Sequence, residues 1–515
     1  MSMEAISPLI VCDALRKRSA KFQIQMVEDH TTTDENDFYQ SLHRHSILHR
    51  LVLLRPFPHC LTLDTWYRID LEVVNELGLS LKGDRNASCR MHISCQLFVV
   101  DTDRGGLVRA PPELELSYRP LQVDAWDSSS LAVADQPGFH HNGQGGIEIK
   151  VSLIQDARCM MQYTTKAKYL VRIAPVSNAY QTVDALPLTL GSLELKKKPP
   201  KMLATNAIEW NMGGNENIRS DTIYRMFDLS SLHRFGGGES DTTTVSSPLS
   251  PSPATMAALD DRYFVVKEIW KMGTPGKIWD SALVLSDMFA KKIMQEPTCL
   301  DGKHVLDLSA GTGCIGLLLG LLLRRSRPQH TCRLTLTDLP EALGLIRENH
   351  RLNAGNNSNQ SDQHIHIEKL CWGSAKEAKH LMKQQGGGPD IVLASDVLYD
   401  PKCFPLLVST LKALCVPGKT VVYLGYKRRG LKREDENMFF NMAKESFDIS
   451  AVPNIDDLGS PLEAVGWEKQ NGFMKRNYLT MDGRGWLGPA GCSSDIFDEA
   501  RQEGKVIIYR LVKIV

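Results

Sequence analysis

Apolar runs typical of buried strands alternate with segments of helical periodicity along residues 261–515. The predicted strands lie near 304–308, 333–337, 366–371, 390–395, 419–425, 446–452 and 505–513. The predicted helices lie near 278–293, 314–325, 340–353, 375–384, 403–414 and 434–445. This alternation predicts a parallel sheet with crossover helices. The seventh strand is expected to run antiparallel, because no clear crossover helix precedes it.

Residues 1–200 show a different pattern, in which apolar and polar positions alternate with a period of two. The predicted strands are 47–54, 66–74, 89–100, 114–118, 147–154 and 168–175. Several short strands at fairly regular spacing predict an antiparallel, sandwich-like all-β domain. No catalytic constellation stands out in it, so targeting or interaction is its expected role.

Residues 201–260 are predicted to form a flexible linker. The stretch 234–255 is rich in Gly, Ser, Thr and Pro and has no core-forming pattern. The domain boundaries are therefore 1–200, 201–260 and 261–515. A long connection, 453–503, precedes the last strand, and its aromatic residues suit either a substrate-handling loop or an insertion with a small core of its own.

The segment VLDLSAGTGCIG, residues 305–316, is a predicted strand that ends in a run of small residues before a helix. Its glycines let backbone N–H groups approach a ligand. A phosphate-binding P-loop is excluded, because no Gly-Lys-Ser/Thr follows. A dinucleotide fits poorly, because the Asp307 carboxylate would oppose its pyrophosphate. The same charge suits a cation such as the amino or sulfonium group of S-adenosylmethionine.

Two residues at later strand ends have two possible roles each. Asp338 ends the second strand, where an acid can accept both ribose hydroxyl protons; the alternative is a cap for the helix that begins at Pro340. Trp372 follows the third strand. Its side chain could flank an adenine ring, or it could pack in the core like any other buried tryptophan.

Composition limits the partners. The 515 residues include 60 Lys plus Arg and 60 Asp plus Glu, so the formal net charge is zero. Electrostatic binding to nucleic acid or to an anionic membrane over a large surface is therefore not expected. The 12 cysteines form no CxxC pair, and no metal site is predicted. No apolar run approaches the ~20 residues of a membrane span. A cytoplasmic protein is expected. The basic run 195–201 suits a solvated linker edge, or else a nuclear signal that would add a nuclear location. The basic group at 426–429 is predicted to be a solvated loop, or else a guide for an acidic substrate.

Five segments in order resemble methyltransferase family 16, the seven-strand protein-lysine methyltransferases. They are GKIWDSALVL (276–285), LDLSAGTG (306–313), TDL (337–339), CWG (371–373) and ASDVLYD (394–400). The resemblance covers about 261–515. It implies a Rossmann-like, seven-stranded class I methyltransferase domain of α/β class that uses S-adenosyl-L-methionine. It also implies a lysine-bearing protein substrate such as a chaperone, a translation factor or an ATPase.

The resemblance also implies roles for individual residues. The cofactor would be bound by Trp279, Asp307, Ser309, Ala310, Gly311, Gly313, Asp338, Leu339, Trp372 and Ala394. Asp396 and Tyr399 would form the Asp-x-x-Tyr motif beside the methyl group, although Asp396 would also suit a helix cap.

Two positions depart from the family pattern. Ser309 stands where glycine is usual, and Asp307 where glutamate is common. A serine is tolerated at 309 if the backbone there does not need a positive φ. The alternatives to a protein-lysine methyltransferase are a small-molecule N-methyltransferase and a non-catalytic scaffold.

Overall fold

The structure is a computed structural model. It describes residues 48–81, 89–101, 107–109, 114–122, 136–141, 144–154, 168–176, 181–196, 217–218, 221–229, 263–327, 329–354, 364–429, 431–452 and 506–514. Most of the predicted linker and all of the connection 453–503 therefore lie outside the described residues. Within the described part, none of the helices combines the length and the hydropathy that crossing a bilayer requires.

Fifteen strands precede the first long helix in the described residues. They are β1 Leu48–Leu53, β2 Phe57–Pro58, β3 Cys60–Thr62, β4 Trp66–Val74, β5 Met91–Asp101, β6 Leu107–Arg109, β7 Leu114–Arg119, β8 Gly138–His141, β9 Gln144–Leu153, β10 Lys168–Val176, β11 Asp184–Leu186, β12 Leu188–Lys196, β13 Asn217–Ile218, β14 Thr222–Asp228 and β15 Tyr263–Ile269. The strand-rich character predicted for this region is confirmed.

Thirteen of these strands form one sheet with the main order β11-β1-β4-β9-β8-β5-β10-β12-β14-β15. The sheet curls back on itself, which brings strands near its two ends together. Arg225 on β14 donates to the carbonyl oxygen of Leu51 on β1 at 2.8 Å. Inward-facing apolar residues of β1, β4, β5, β9, β10 and β12 share one buried cluster. The predicted strand domain is thus one large sheet around its own core, rather than two stacked sheets of similar size, and β2 and β13 form a separate two-stranded sheet.

The predicted domain boundaries need one correction. Strand β14 lies inside the predicted linker 201–260, and β15 lies inside the predicted second domain, yet the two pair with each other and extend the N-terminal sheet. The short β14 sequence TIYRMFD is separated from β12 by 25 residues, and its pairing partner β15 follows 34 residues later. Only the tertiary pairing joins these strands to the sheet.

The remaining chain forms the α/β domain. Its helices are α1 Asp280–Gln295, α2 Cys314–Ser326, α3 Pro340–Asn353, α4 Ala375–Gln384, α5 Phe404–Leu414 and α6 Arg433–Lys444. Its strands are β16 His304–Leu308, β17 Arg333–Asp338, β18 Ile365–Lys369, β19 Ile391–Ser395, β20 Val421–Lys427, β21 Phe447–Ala451 and β22 Val506–Lys513. All of them agree with the sequence prediction to within about two residues.

The seven strands form one sheet in the order β18-β17-β16-β19-β20-β22-β21. Strand β22 runs antiparallel to β20 and β21, as predicted, and the other neighbours are parallel. One face packs on α1, α2 and α3, and the other on α4, α5 and α6. Because the order reverses at β16 and β19, the carboxyl ends of these strands open a crevice where ligands bind in such sheets.

The two domains share a continuous interface. Phe227 on β14 and Phe264 and Val266 on β15 belong to the same buried apolar cluster as α1 and α2. Two asparagines of α3 pair with the outer edge of β15. Asn349 accepts from the backbone nitrogen of Lys267 at 2.7 Å, and Asn353 accepts from that of Val265 at 2.9 Å. Both amides also donate back to the carbonyl oxygens of the same two residues. The edge strand is thereby satisfied by side chains instead of by another strand.

Candidate active site

A cavity of about 680 Å³ opens at the carboxyl ends of the central strands. Its walls are the segments after β16 and β17, the segments after β18 and β19, and a strap between β15 and α1. Of the residues predicted for the site, nine line this cavity: Trp279, Ser309, Ala310, Gly311, Asp338, Leu339, Trp372, Asp396 and Tyr399. Three do not line it: Asp307, Gly313 and Ala394. The size is in the range of cavities that hold small ligands and cofactors.

The glycine turn joins β16 to α2 through a left-handed backbone. Gly313 is the residue before α2, with φ at 80°, and a Cβ atom there would lie 3.0 Å from Leu317 and 3.1 Å from Ile346. At Gly316 a Cβ atom would meet the side chain of Leu336 at 2.7 Å. Glycine is therefore required both by the turn and by the close packing of α2 on the sheet.

Ser309 takes a positive φ of 60°, so the condition under which serine is tolerated there is not met. Its hydroxyl oxygen instead accepts the indole N–H of Trp372 at 3.0 Å. The strained backbone costs on the order of 1 kcal/mol, and the hydrogen bond returns about as much. Serine at this position thus ties the turn after β16 to the aromatic wall after β18.

Substitution at Ser309 separates these two effects. We expect Ser309→Gly to change the free energy of unfolding by less than about 1 kcal/mol, because the relief of strain offsets the lost hydrogen bond. Ser309→Ala keeps the strain and loses the bond, so it should be less stable than Ser309→Gly by about 1 kcal/mol. Urea denaturation of the three proteins measures the order. Equal stability of the two variants would contradict a strained turn.

Asp307 is 2% exposed and lies behind the cavity wall. One carboxylate oxygen accepts the backbone N–H of Gly316 at 3.0 Å, in the first turn of α2. Burial, opposed by this hydrogen bond, raises the pKa of Asp307 to about 7, and the nearby Asp338 adds to the rise. In this position the carboxyl group satisfies the open N-terminus of the helix. The carboxylate of Asp307 therefore faces the start of α2 and does not line the cavity.

Asp338 lines the cavity and bridges two of its loops. One of its oxygens accepts the backbone N–H of Gly311 at 2.7 Å, and the other accepts that of Leu339 at 2.7 Å. The residue before α3 is Leu339, and no side chain caps this helix. The capping alternative for Asp338 is therefore wrong. Each oxygen keeps a further lone pair for a donor in the cavity.

The charge of Asp338 depends on pH near neutrality. Burial raises its pKa to about 6, although the N–H groups of Gly311 and Leu339 partly oppose this rise. If the ionised form accepts ligand hydroxyls, affinity should fall as pH decreases through 6. We expect S-adenosylhomocysteine to bind about tenfold more weakly at pH 5 than at pH 8, as measured by calorimetry. Asp338→Asn should bind weakly at both pH values, and a wild-type affinity independent of pH would contradict the assignment.

Trp372 and Tyr399 form the aromatic side of the cavity. Their ring centroids lie 6.1 Å apart with an angle of 43° between the planes. Trp372 is 9% exposed and packs in the buried cluster of α4, α5 and α6, so its predicted core-packing role is present, and its side chain also lines the cavity. Tyr399 is 42% exposed and stands at the open end.

Asp396 lines the same cavity in an unusual conformation. Its φ is 52°, and its side chain is 3% exposed. One oxygen accepts from Arg429 at 2.5 Å; the other accepts from Arg429 at 3.2 Å and from the backbone N–H of Ser281 at 2.9 Å. The N–H of Ser281 belongs to the first turn of α1, so Asp396 stabilises the start of that helix as well.

Sequence reasoning missed two parts of the site. The strap residues Lys271, Met272, Thr274, Pro275 and Lys277 line the cavity. The glycines and the proline of KMGTPG (271–276) predict a turn, but the sequence does not predict that this turn lines the cavity. The prediction of a solvated loop at 426–429 is wrong for Lys427 and Arg429. Their side chains are 1% and 14% exposed and bind buried carboxylates.

The chain is similar in sequence to known lysine methyltransferases. A model of the lysine methyltransferase family matches residues 258–446. EEF1A lysine methyltransferase 3 of Mus musculus is 30% identical over 188 residues, which are 36% of this chain and 70% of that protein. Protein-lysine N-methyltransferase EFM6 of Saccharomyces cerevisiae is 29% identical over 194 residues, with coverages of 36% and 74%. A solved SAM-dependent methyltransferase from Streptococcus mutans has a TM-score of 0.29 at 10% identity, over 49% of this chain and 53% of that one.

The strand order with an antiparallel seventh strand, the glycine turn after β16 and the family match define a Rossmann-like class I methyltransferase that depends on S-adenosylmethionine. The cavity fits this cofactor, since it combines an acidic acceptor, Asp338, with apolar and aromatic walls. Within the class, the chain belongs to the lysine methyltransferase family.

Proposed function

We propose that the protein transfers a methyl group to a lysine side chain of a protein substrate. The observation that carries the proposal is the open end of the cavity, where the exposed Tyr399 stands beside Trp372, in a cavity that Asp396 also lines. A lysine side chain is long and narrow enough to enter such an opening from the surface of a folded protein. The match to the lysine methyltransferase family supports the same substrate class.

The inner part of the cavity is proposed to hold the cofactor. Asp338 would accept the ribose hydroxyls, and Leu339 and Trp372 would border the adenine. The turn 309–311 and Trp279 would enclose the methionine part. When bound, S-adenosylmethionine supplies an electrophilic methyl group on a sulfonium. Asp307 and Gly313 would act indirectly, by shaping the turn from behind, and Ala394 by leaving room at the end of β19.

The outer part is proposed to prepare the lysine amine. The reference pKa of lysine is about 10.4, so the amine must lose a proton before it can act as a nucleophile. A carboxylate has four acceptor positions, and the three N–H bonds from Arg429 and Ser281 leave one of them on Asp396. Because Arg429 already balances its charge, Asp396 can orient an amine without holding it as an ammonium ion. Alignment of the nucleophile is the main contribution expected of the protein.

The substrate is proposed to be a translation factor. In support, one relative at 30% identity is called EEF1A lysine methyltransferase 3. The name of another, protein N-lysine methyltransferase METTL21A, supports a protein lysine as the acceptor.

The test is a transfer reaction with the full chain. Cell lysate proteins are incubated with S-adenosylmethionine labelled on the methyl group, and labelled lysines are located by mass spectrometry. Asp396→Ala should reduce labelling by about 100-fold or more, since alignment of the reactants carries much of the rate. Tyr399→Ala should reduce it less.

Two outcomes would contradict the proposal. Label that appears only in the small-molecule fraction would indicate a small-molecule N-methyltransferase. Cofactor binding with no transfer to any fraction would indicate a scaffold.

A further inference from the structure

Six charged side chains form a buried network between the two domains. It holds three cations, Arg50, Lys427 and Arg429, and three anions, Glu76, Asp280 and Asp396. Each of these side chains is at most 14% exposed. The charges balance, which fits the rule that buried ions are paired. Arg50 and Glu76 come from the N-terminal sheet, whereas the other four belong to the α/β domain.

Glu76 occupies the centre of this network. One of its carboxylate oxygens accepts from Lys427 at 2.8 Å and from Arg429 at 3.1 Å. Lys427 also donates to Asp280 at 2.6 Å, and Asp280 in turn accepts from Arg50 at 2.7 Å. Glu76 is therefore the residue through which the N-terminal sheet reaches both basic side chains.

Glu76 is held in a fixed place by its own turn. The turn follows β4, and the side-chain oxygen of Asn75 accepts the backbone N–H groups of Leu77 and Leu79 at 3.0 and 2.9 Å. The backbone N–H of Asn75 donates to the carbonyl oxygen of Leu79 at 2.9 Å. A carboxylate on such a closed turn has little freedom to move, so it can fix its partners.

Arg429 connects Glu76 to residues that line the cavity. Its Nε atom donates to Glu76, while its two terminal nitrogens clamp Asp396. Its guanidinium carbon lies 5.0 Å from the centre of the Trp279 ring, which lines the cavity. Without Glu76 the network would carry one excess positive charge, and Arg429 would lose the acceptor of its Nε atom. The two bonds from Arg429 hold the side chain of Asp396 together with the N–H of Ser281, while the backbone N–H of Asp396 donates to the carbonyl oxygen of Gly425 at 2.8 Å.

We propose that the N-terminal β domain completes the methyl-transfer site, with Glu76 acting through Arg429 as a positioning residue for Asp396. This rests on the proposed role of Asp396 in orienting the substrate amine. It gives the N-terminal domain a part in catalysis, in addition to the targeting role expected from its sequence.

The first test is hydrogen–deuterium exchange of the full chain. Glu76→Gln should speed the exchange of the peptide 395–400 by about tenfold, the order of coupling between residues in one network. Exchange in β9 should stay unchanged, which separates loss of position from unfolding. The matched control is Glu194→Gln, the same substitution at a half-exposed pair with Lys168 elsewhere in the same domain. Unchanged exchange at 395–400 in Glu76→Gln would overturn the proposal, whether or not the protein transfers methyl groups.

The second test is a double-mutant cycle on methyl transfer to lysate proteins. Glu76→Gln should lower the rate about tenfold while S-adenosylhomocysteine binding changes less than about threefold. In an Asp396→Asn background, the substitution should have no further effect. Additive losses would overturn the positioning role and assign Glu76 a separate structural one. Absence of transfer by the wild type would count against the proposed function alone, because the exchange experiment is independent of activity.

Discussion

Asp338→Ala is expected to weaken binding of S-adenosylmethionine by at least about 100-fold. Two hydrogen bonds to a charged carboxylate contribute about 1.5–3 kcal/mol each, and a factor of ten corresponds to about 1.4 kcal/mol. The substitution also removes the acceptor for the N–H groups of Gly311 and Leu339, which fixes two of the cavity loops. Calorimetric titration of the purified chain measures the loss.

Asp307→Asn is the matched control for this prediction. Asp307 is also a buried acid, but its carboxylate faces the backbone of α2, and asparagine can still accept the N–H of Gly316. Affinity should therefore change less than about threefold, since no contact with the ligand is lost. Equal losses in both variants would mean that negative charge near the glycine turn, rather than contact, attracts the cofactor. Wild-type affinity in Asp338→Ala would contradict the proposed site.

Arg225→Met is expected to lower the free energy of unfolding by about 3–5 kcal/mol, the cost of breaking a buried ion pair. Arg225 on β14 and Glu268 on β15 are fully buried, and they are joined at 2.8 Å. Arg225 also donates to the carbonyl oxygens of Leu51 and Pro187, at 2.8 Å each. Glu268 accepts from the backbone of Ile278 at 2.7 Å, so the pair connects the curled sheet to the segment that enters α1.

The double variant Arg225→Met/Glu268→Gln tests the reason for this loss. Most of the cost comes from the carboxylate left without its counter-ion, because only the N–H groups of Ile278 and Trp270 would still donate to it. Neutralising Glu268 should therefore recover more than half of the stability. Chemical denaturation of the wild type, of each single variant and of the double variant gives the free energies for this comparison. If the double variant is as unstable as the sum of its single substitutions, the unpaired carboxylate is not the main cause of the loss.

The interface between the domains explains why these residues matter beyond local stability. An N-terminal domain that served only to bring the enzyme to its substrate would need few buried contacts with the α/β domain. Here the apolar cluster, the asparagine pairs on β15 and the six-charge network all cross the boundary. We therefore expect changes in the N-terminal sheet to alter the site, in line with the proposed role of Glu76.

The α/β domain could be predicted closely from the sequence, for a simple reason. Strands such as 304–308 are mainly apolar and buried throughout because both faces of the sheet are covered, and the glycine turn requires small residues wherever the rest of the chain lies. Asp338 was found because it ends a strand. The curled sheet was less predictable, since several of its strands have three residues or fewer and pair across long separations.

The sequence by itself therefore determined the strand and helix pattern, the glycine turn and the positions of Asp338, Trp372 and Tyr399 at strand ends. These features depend on neighbours within a few residues of the chain. Tertiary structure alone decided that Asp307 faces away from the cavity, that Lys427 and Arg429 are buried, and that Glu76 reaches Asp396 through Arg429. Glu76 and Arg429 are 353 residues apart. No local pattern encodes such a contact, because it exists only once two separately patterned domains pack against each other.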